Sequence, residues 1–447
     1  MLMNAFDKSV QSNTEQAGRG HGFARTFDRV CAFLDERVGG ASALIAACQS
    51  VADRFWHSKL YFPVCFLMLA VFMAAGLPVV GGVLVMSTLI FLLLFCDDLL
   101  SVLFPVVLLA MVGTEFYDEL YSLLRFWWIG LLAAAALLVH IGAYARAPRN
   151  GGCLHGMVAV SVATLLGGLG FISREEYFAP TALYYSLGLG VVMLLVYLLC
   201  RSEADRTRDY DVAERMLQIL YAGGLFTGFV VALFYARHMQ EFVQDFSTIY
   251  FKYRNFFSTM LLISLPAVWY FAARDRRHFL AVAFLYFMML MTGSRSGLIF
   301  GTAMLLLCLA YVYYCNPERR AVYRRVGLIS LVPAVALLIA LVPRLFASRM
   351  VDGALISPDD SRYTFFIQGL LDFVKNPLFG CGLGSMHNAP IFLGVEGSIV
   401  WYHNLIAQIL GSMGLVGAVG YGWLFYDRVR LLWRKRSRTK LAFALAY

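Results

Sequence analysis

Four side chains in the second half of the chain are of types that could bind and activate a phosphorylated substrate. Arg254 stands in Lys252-Tyr253-Arg254-Asn255-Phe256-Phe257, and Arg295 in Gly293-Ser294-Arg295-Ser296-Gly297. Arg362 follows Ser361 at the start of an amphipathic stretch, and His403 lies within Trp401-Tyr402-His403-Asn404. A guanidinium bonds phosphate oxygens in a bidentate fork and stays charged at any working pH, so two of them suit a diphosphate. Imidazole can take a proton from a hydroxyl near neutral pH, which no arginine can do. Each residue also has a plainer reading. Arg295 could snorkel to headgroups at a hairpin tip, Arg254 could be an interfacial anchor, and His403 could be structural. Arg295 is the strongest case for chemistry, because it is a lone charge between two strongly apolar runs. Ionisable groups at membrane depth are expensive and usually face a cavity or a partner.

Other motifs point to less. Gly380-Cys381-Gly382-Leu383-Gly384-Ser385 resembles a phosphate-cradling loop but follows Pro377-Leu378-Phe379 rather than a strand, which makes it a weak nucleotide motif. The nine cysteines form no CxxC pair, and Cys65, Cys153, Cys200 and Cys308 fall in apolar runs where cysteine acts as a small apolar residue. No outer acidic pair or metal-ligand cluster is visible, so neither a metal nor another cofactor is expected.

The elements that must position these residues are membrane helices. The 447 residues are 60% hydrophobic and 15% charged, with a mean hydropathy of +0.69. Soluble domains carry about a quarter charged residues. The expected fold class is all-α, a polytopic integral membrane protein with about twelve spans, each long enough for a hydrocarbon core roughly 30 Å thick. The spans fall near 60–76, 78–96, 99–113, 126–144, 153–172, 181–200, 216–236, 255–272, 279–293, 297–314, 326–343 and 402–426, the first two divided only at Gly76-Leu77-Pro78. No internal repeat or low-complexity tract interrupts them. With both termini on one side, the segments there hold most of the 37 Lys and Arg, which makes that side cytoplasmic. The net charge of +9 thus reads as basic cytoplasmic loops, and no nucleic-acid partner is expected. The cluster from Arg428 to Lys440 reads as a topology anchor beside anionic lipids.

The chain therefore divides into a cytoplasmic segment 1–58, a transmembrane domain 59–426 and a basic cytoplasmic tail 427–447. Within the first segment, Phe27, Val30, Cys31, Leu34 and Val38 share a helical face over 26–38, either on the inner membrane surface or as an ordinary amphipathic segment. The longest outer segment is 344–401. In it Ser361 can cap a helix with an apolar stripe of Phe366, Leu370, Phe373 and Val374 opposite Gln368, Asp372 and Lys375, stopped by Asn376-Pro377. It reads as a helix along the outer membrane surface. Arg254, Arg295, Arg362 and His403 all fall at the outer end of a span or in this loop.

At these residues the chain resembles the O-antigen ligase and polymerase superfamily. Thr292-Gly293-Ser294-Arg295-Ser296-Gly297 is similar to its Ser-Arg signature. Arg362 through Asp372, Asn376-Pro377-Leu378-Phe379-Gly380, Gly382-Leu383-Gly384, His403-Asn404 and Gly411-Ser412-Met413-Gly414-Leu415-Val416-Gly417 resemble its outer loop and following span, in family order. The resemblance covers roughly residues 250–425. It implies a glycosyltransferase of the bacterial inner membrane, most like O-antigen ligase, that takes an undecaprenyl-diphosphate-linked glycan on the periplasmic side. The acceptor would be a hydroxyl of lipid A–core oligosaccharide or of another glycan. Carried over, Arg254 and Arg295 hold the diphosphate, Arg362 supports binding, and His403 is the base. The family's Pro-Asn after the first arginine is absent here, where Asn255-Phe256-Phe257 follows. The alternatives are a polysaccharide polymerase using the same donor and a transporter or flippase of lipid-linked sugars.

Overall fold

The computed structural model describes residues 41–115, 127–144, 152–178, 180–204, 209–244, 253–325, 361–383 and 404–434, with Tyr402 and a few isolated positions besides. Helices α1 (Ala41–His57), α2 (Tyr61–Ala74), α3 (Pro78–Phe95), α4 (Leu103–Glu115) and α5 (Trp127–Tyr144) come first. They are followed by α6 (Leu154–Gly168), α7 (Pro180–Ser186), a π-helical turn over Leu187–Val192, and α8 (Met193–Ala204). Then come α9 (Val212–Arg237), α10 (Met239–Gln244), α11 (Arg254–Ala272), α12 (Phe279–Met291), α13 (Arg295–Cys315), α14 (Ser361–Lys375) and α15 (Leu405–Arg434). Among the described residues there is no strand. The protein is an all-helical, polytopic membrane protein.

Each expected span coincides with a helix except 326–343, most of which lies outside the described residues, as does the expected amphipathic segment 26–38. Among the described residues, seven helices are long and apolar enough to cross a membrane, or eight if the bent pair α1–α2 is one span. The division at Gly76-Leu77-Pro78 is a real break. Gly76 takes a positive φ of 76°, and Pro78 opens α3, where its missing N–H costs nothing. Two features differ from the sequence reading. Helix α1 precedes the first apolar run and meets α2 at 90°. Its Leu44 and Val51 are exposed on one side while Ala52 and Trp56 are buried on another, and its interspersed polar residues keep it from registering as a span. The last span runs on to Arg434, so part of the basic tail is helical, and it is broken at Gly414 (φ 61°, ψ −152°).

The chain forms two compact units, Met1–Ala147 with Ser202–Val230, and Pro148–Arg201 with Val231–Tyr447. The first is held at one end by a buried carboxylate. Asp98 accepts from Trp56 Nε1 at 3.0 Å, from the Leu100 amide at 2.9 Å and from the Tyr210 hydroxyl. Arg215 lies 4.0 Å over the Trp56 ring and donates to its carbonyl. A buried charge is tolerable only when its oxygens are satisfied in this way.

In the second unit α6 and α15 pack very closely. A Cβ on Gly156 would lie 2.6 Å from Leu424 Cα, so only glycine fits there. The contacts between connections respect sidedness within each unit. Segments assigned to the inner side pair with one another: Trp56 with Asp98, Cys153 with Tyr197, Gly156 with Asp427, and Arg319 with Arg274. Segments assigned to the outer side do likewise, as with Tyr177 and Asn376, or Asn255 and Ser294. Alternate crossing of a bilayer requires such pairing.

Candidate functional site

The α12–α13 hairpin turns on Gly293, whose φ of +64° a side chain would disfavour. Ser294 then takes an extended conformation (φ −79°, ψ 123°), and its Oγ caps α13 by accepting from the Gly297 amide at 3.3 Å. Arg295 is therefore the first residue of α13, and it is half-buried. Arg254 is the first residue of α11 and is also half-buried. The two helix starts are joined. Ser294 Oγ donates to Asn255 Oδ1 at 2.9 Å, so Ser296 Oγ, 2.8 Å away, must donate to Ser294, which has a single proton to give. One turn further on, Gly297 leaves room for Ser258, the nearest atom to its missing side chain. The Tyr235 hydroxyl donates to the Met291 carbonyl at 2.5 Å and secures the same end of α12.

The structure thus brings Arg254 and Arg295 to the same end of two adjoining helices. Each sits in the first turn, where the helix dipole is positive and a cation is electrostatically unfavourable. Two cations and two helix starts at one place make a surface suited to a multiply charged anion.

A second cluster forms around α14. Its buried face is Phe365, Gly369 and Asp372, whereas Val374 is 73% exposed. A mixed face centred on Gly369 and Asp372 thus packs inward, with Gly369 against Ala407 of α15, while Leu371 and Val374 are left outward and the expected apolar stripe of Phe366, Leu370 and Phe373 is half-buried. Asp372 is fully buried and accepts from the Tyr402 hydroxyl at 2.7 Å and from Gln368 Nε2 at 2.9 Å. Burial first, and then the Asp372 charge, hold the Tyr402 hydroxyl protonated well above the ordinary tyrosine range. The Tyr402 amide donates to Gln408 Oε1 at 3.1 Å. Asn404 Oδ1 caps α15 by accepting from the Ile406 and Ala407 amides at 2.9 and 3.1 Å. The chain is therefore anchored on both sides of His403. His403 itself and the side chain of Arg362 lie outside the described residues.

The loop after α14 is stitched into the break in α15. Leu415 and Val416 amides donate to the Pro377 and Leu378 carbonyls at 2.8 and 3.1 Å, and the Cys381 and Gly382 amides donate to the Gly411 and Ser412 carbonyls at 2.8 and 2.9 Å. The Leu383 amide is used by the Gly168 carbonyl at 2.6 Å. These amides cannot also cradle a phosphate, so the described part of the Gly380–Ser385 motif is a packing device. Burial, and then Asp372, push the Cys381 thiol up to about 11, leaving it unreactive near neutral pH. Sequence reasoning missed the roles of Asn255, Tyr402 and Gln408. The only signal was their position beside Arg254 and His403.

Comparison with curated proteins and with solved structures yields no match. Residues 279–422 match the family model Wzy_C, O-antigen ligase. The match takes in Arg295, α14, the loop stitched into α15 and the break at Gly414, and it supports a membrane glycosyltransferase-like activity of the O-antigen ligase or polymerase type. Over this segment, about a third of the chain, the protein is similar to the O-antigen ligase superfamily.

Proposed function

We propose that the protein transfers an O-antigen glycan from undecaprenyl diphosphate to a hydroxyl of lipid A–core oligosaccharide at the periplasmic face of the inner membrane. The observation that carries this reading is the joining of the α11 and α13 starts through Ser294 and Asn255, which fixes Arg254 and Arg295 relative to each other. In the proposed step the acceptor oxygen attacks the anomeric carbon and its proton passes to His403. The bond from that carbon to the diphosphate oxygen breaks, and undecaprenyl diphosphate leaves with the electron pair. Arg254 and Arg295 neutralise the charge that develops on the leaving group, which is electrostatic stabilisation supplied by fixed groups. Arg362, opening α14, supports donor binding. Tyr402 and Asn404, anchored on either side of His403, hold the chain that carries the base.

The test is transfer by the purified protein, given carrier-linked polymer and lipid A–core. The wild type should form the linked product, and Arg295→Ala and His403→Ala should lose it while still inserting in the membrane. Transfer by His403→Ala at the wild-type rate would remove the base assignment. Joining of repeats without any lipid A–core would make the protein a polymerase instead. Movement of lipid-linked sugar with no glycosidic bond formed would make it a transporter. A chelator should leave the rate unchanged, and strong inhibition would contradict the mechanism.

A further inference from the structure

Beside the seam between α6 and α15 runs an open furrow of about 650 Å³, walled by Val158 and Val162 from α6 and by Leu415, Val419 and Trp423 from α15. All five side chains are substantially exposed, Val419 at 65%. At the end remote from Gly414 the furrow opens, past His155 and Trp423, into a second hollow of about 510 Å³ that also includes Asp427 and Arg430. Its acid and its arginine form no ion pair with each other. Asp427 is buried and turns Oδ2 to the Gly156 amide at 3.1 Å, so this oxygen is engaged at the start of α6. Arg430 and His155 are exposed, and among the described residues neither has a hydrogen-bond or ion partner.

An apolar channel ending at an unpaired arginine and an imidazole able to donate a hydrogen bond has the form of an amphiphile with an anionic head. We propose that this furrow binds one anionic glycerophospholipid, with an acyl chain along Val158, Val162 and Val419 and its phosphate at Arg430 and His155. The dimensions agree. From Leu415 to Arg430 a helix rises about 22 Å, enough to hold a chain through one leaflet's hydrocarbon, roughly 15 Å, and still reach the headgroup level. The bilayer is the only medium these helices cross, so the occupant is drawn from the leaflet at the Arg430 end. The hollow lies toward the Arg434 end of α15, and the inference does not depend on the transfer reaction.

Native mass spectrometry of the delipidated full chain tests this with three probes: phosphatidylglycerol, phosphatidylcholine and inorganic phosphate. The wild type should retain phosphatidylglycerol over phosphatidylcholine, and inorganic phosphate should not displace it. Each of Arg430→Gln and His155→Gln should weaken that preference about fivefold. Both positions are exposed, so these variants should fold. Arg430→Lys keeps the charge and should keep the preference. Val419→Trp, which fills the furrow, should lower retention of both lipids. Equal retention of the two lipids by the wild type would overturn the proposal. So would a preference unchanged in the Arg430→Gln, His155→Gln double variant, loss of the preference in Arg430→Lys, or displacement by inorganic phosphate.

Discussion

Two hydrogen bonds between side chains carry most of the residue-level argument. Ser294 to Asn255 sets the spacing of two arginines, and Tyr402 to Asp372 anchors the residue before His403. Replacing Asn255 with alanine removes the acceptor for Ser294, a loss of about 1 kcal/mol in a neutral hydrogen bond. On the proposed reading the transfer rate should fall about tenfold with helix content unchanged, since the arginines would lose their mutual register. An unaltered rate would show that the register does not matter. Tyr402→Phe removes the hydroxyl donor of a fully buried carboxylate and should destabilise the protein by about 1–3 kcal/mol, read as a lowered midpoint of thermal unfolding. The same bond has a pH signature. The Tyr402 hydroxyl is held protonated above its ordinary value, so its contribution is complete below about pH 10 and is lost as pH rises further. Tyr402→Phe should flatten that alkaline decline in stability. Arg254, Arg295 and His403 could be nominated from the sequence because each is a polar residue at the edge of an apolar run. Their supports were not. Nothing along the chain says that Tyr402 would meet Asp372, thirty positions earlier, across the outer loop.

Among the elements, α14 and the broken α15 are the informative pair. The amphipathic stripe on α14 was readable from spacing alone, and the observed helix, Ser361–Lys375, has the expected bounds. What spacing could not supply was which face packs inward: Phe365, Gly369 and Asp372 are buried, while Leu371 and Val374 face outward. The break in α15 was hidden for a related reason. A glycine inside an apolar run is common in membrane helices, and only the loop from Asn376 to Leu383, supplying carbonyls and amides to the interrupted ladder, makes a positive φ at Gly414 sustainable. A Cβ on Gly414 would lie 2.6 Å from the Leu378 carbonyl carbon, and one on Gly380 would collide with Ser412. Gly414→Val and Gly380→Val should therefore abolish the monodisperse, detergent-extracted protein. Gly422→Ala, on the same helix with nothing within 4 Å, should be extracted like wild type. Equal recovery of all three variants would mean that the loop and the break are not packed as described.

For the whole molecule, hydropathy located almost every helix, and the bias of Lys and Arg suggested a direction of insertion. Contacts between connections within each unit agree with alternate crossing, and the proposed orientation puts the Arg274 and Asp427 side in the cytoplasm. Alkaline phosphatase fused after Phe178 or Gln244 should be active and after Arg276 or Arg434 inactive; the reverse pattern would turn the proposed site to the cytoplasm. The α1–α2 bend was not legible, because α1 is too polar in mean composition to stand out beside the spans. Two arginines, remote in sequence and brought to one membrane face, are the centre of the proposed chemistry, and they can be tested without any acceptor. Binding of undecaprenyl diphosphate to the purified protein should weaken about tenfold or more in Arg254→Gln and in Arg295→Gln, with the double variant losing less than the product of the two effects because both groups serve one diphosphate. Affinity equal to wild type in Arg295→Gln would contradict the account.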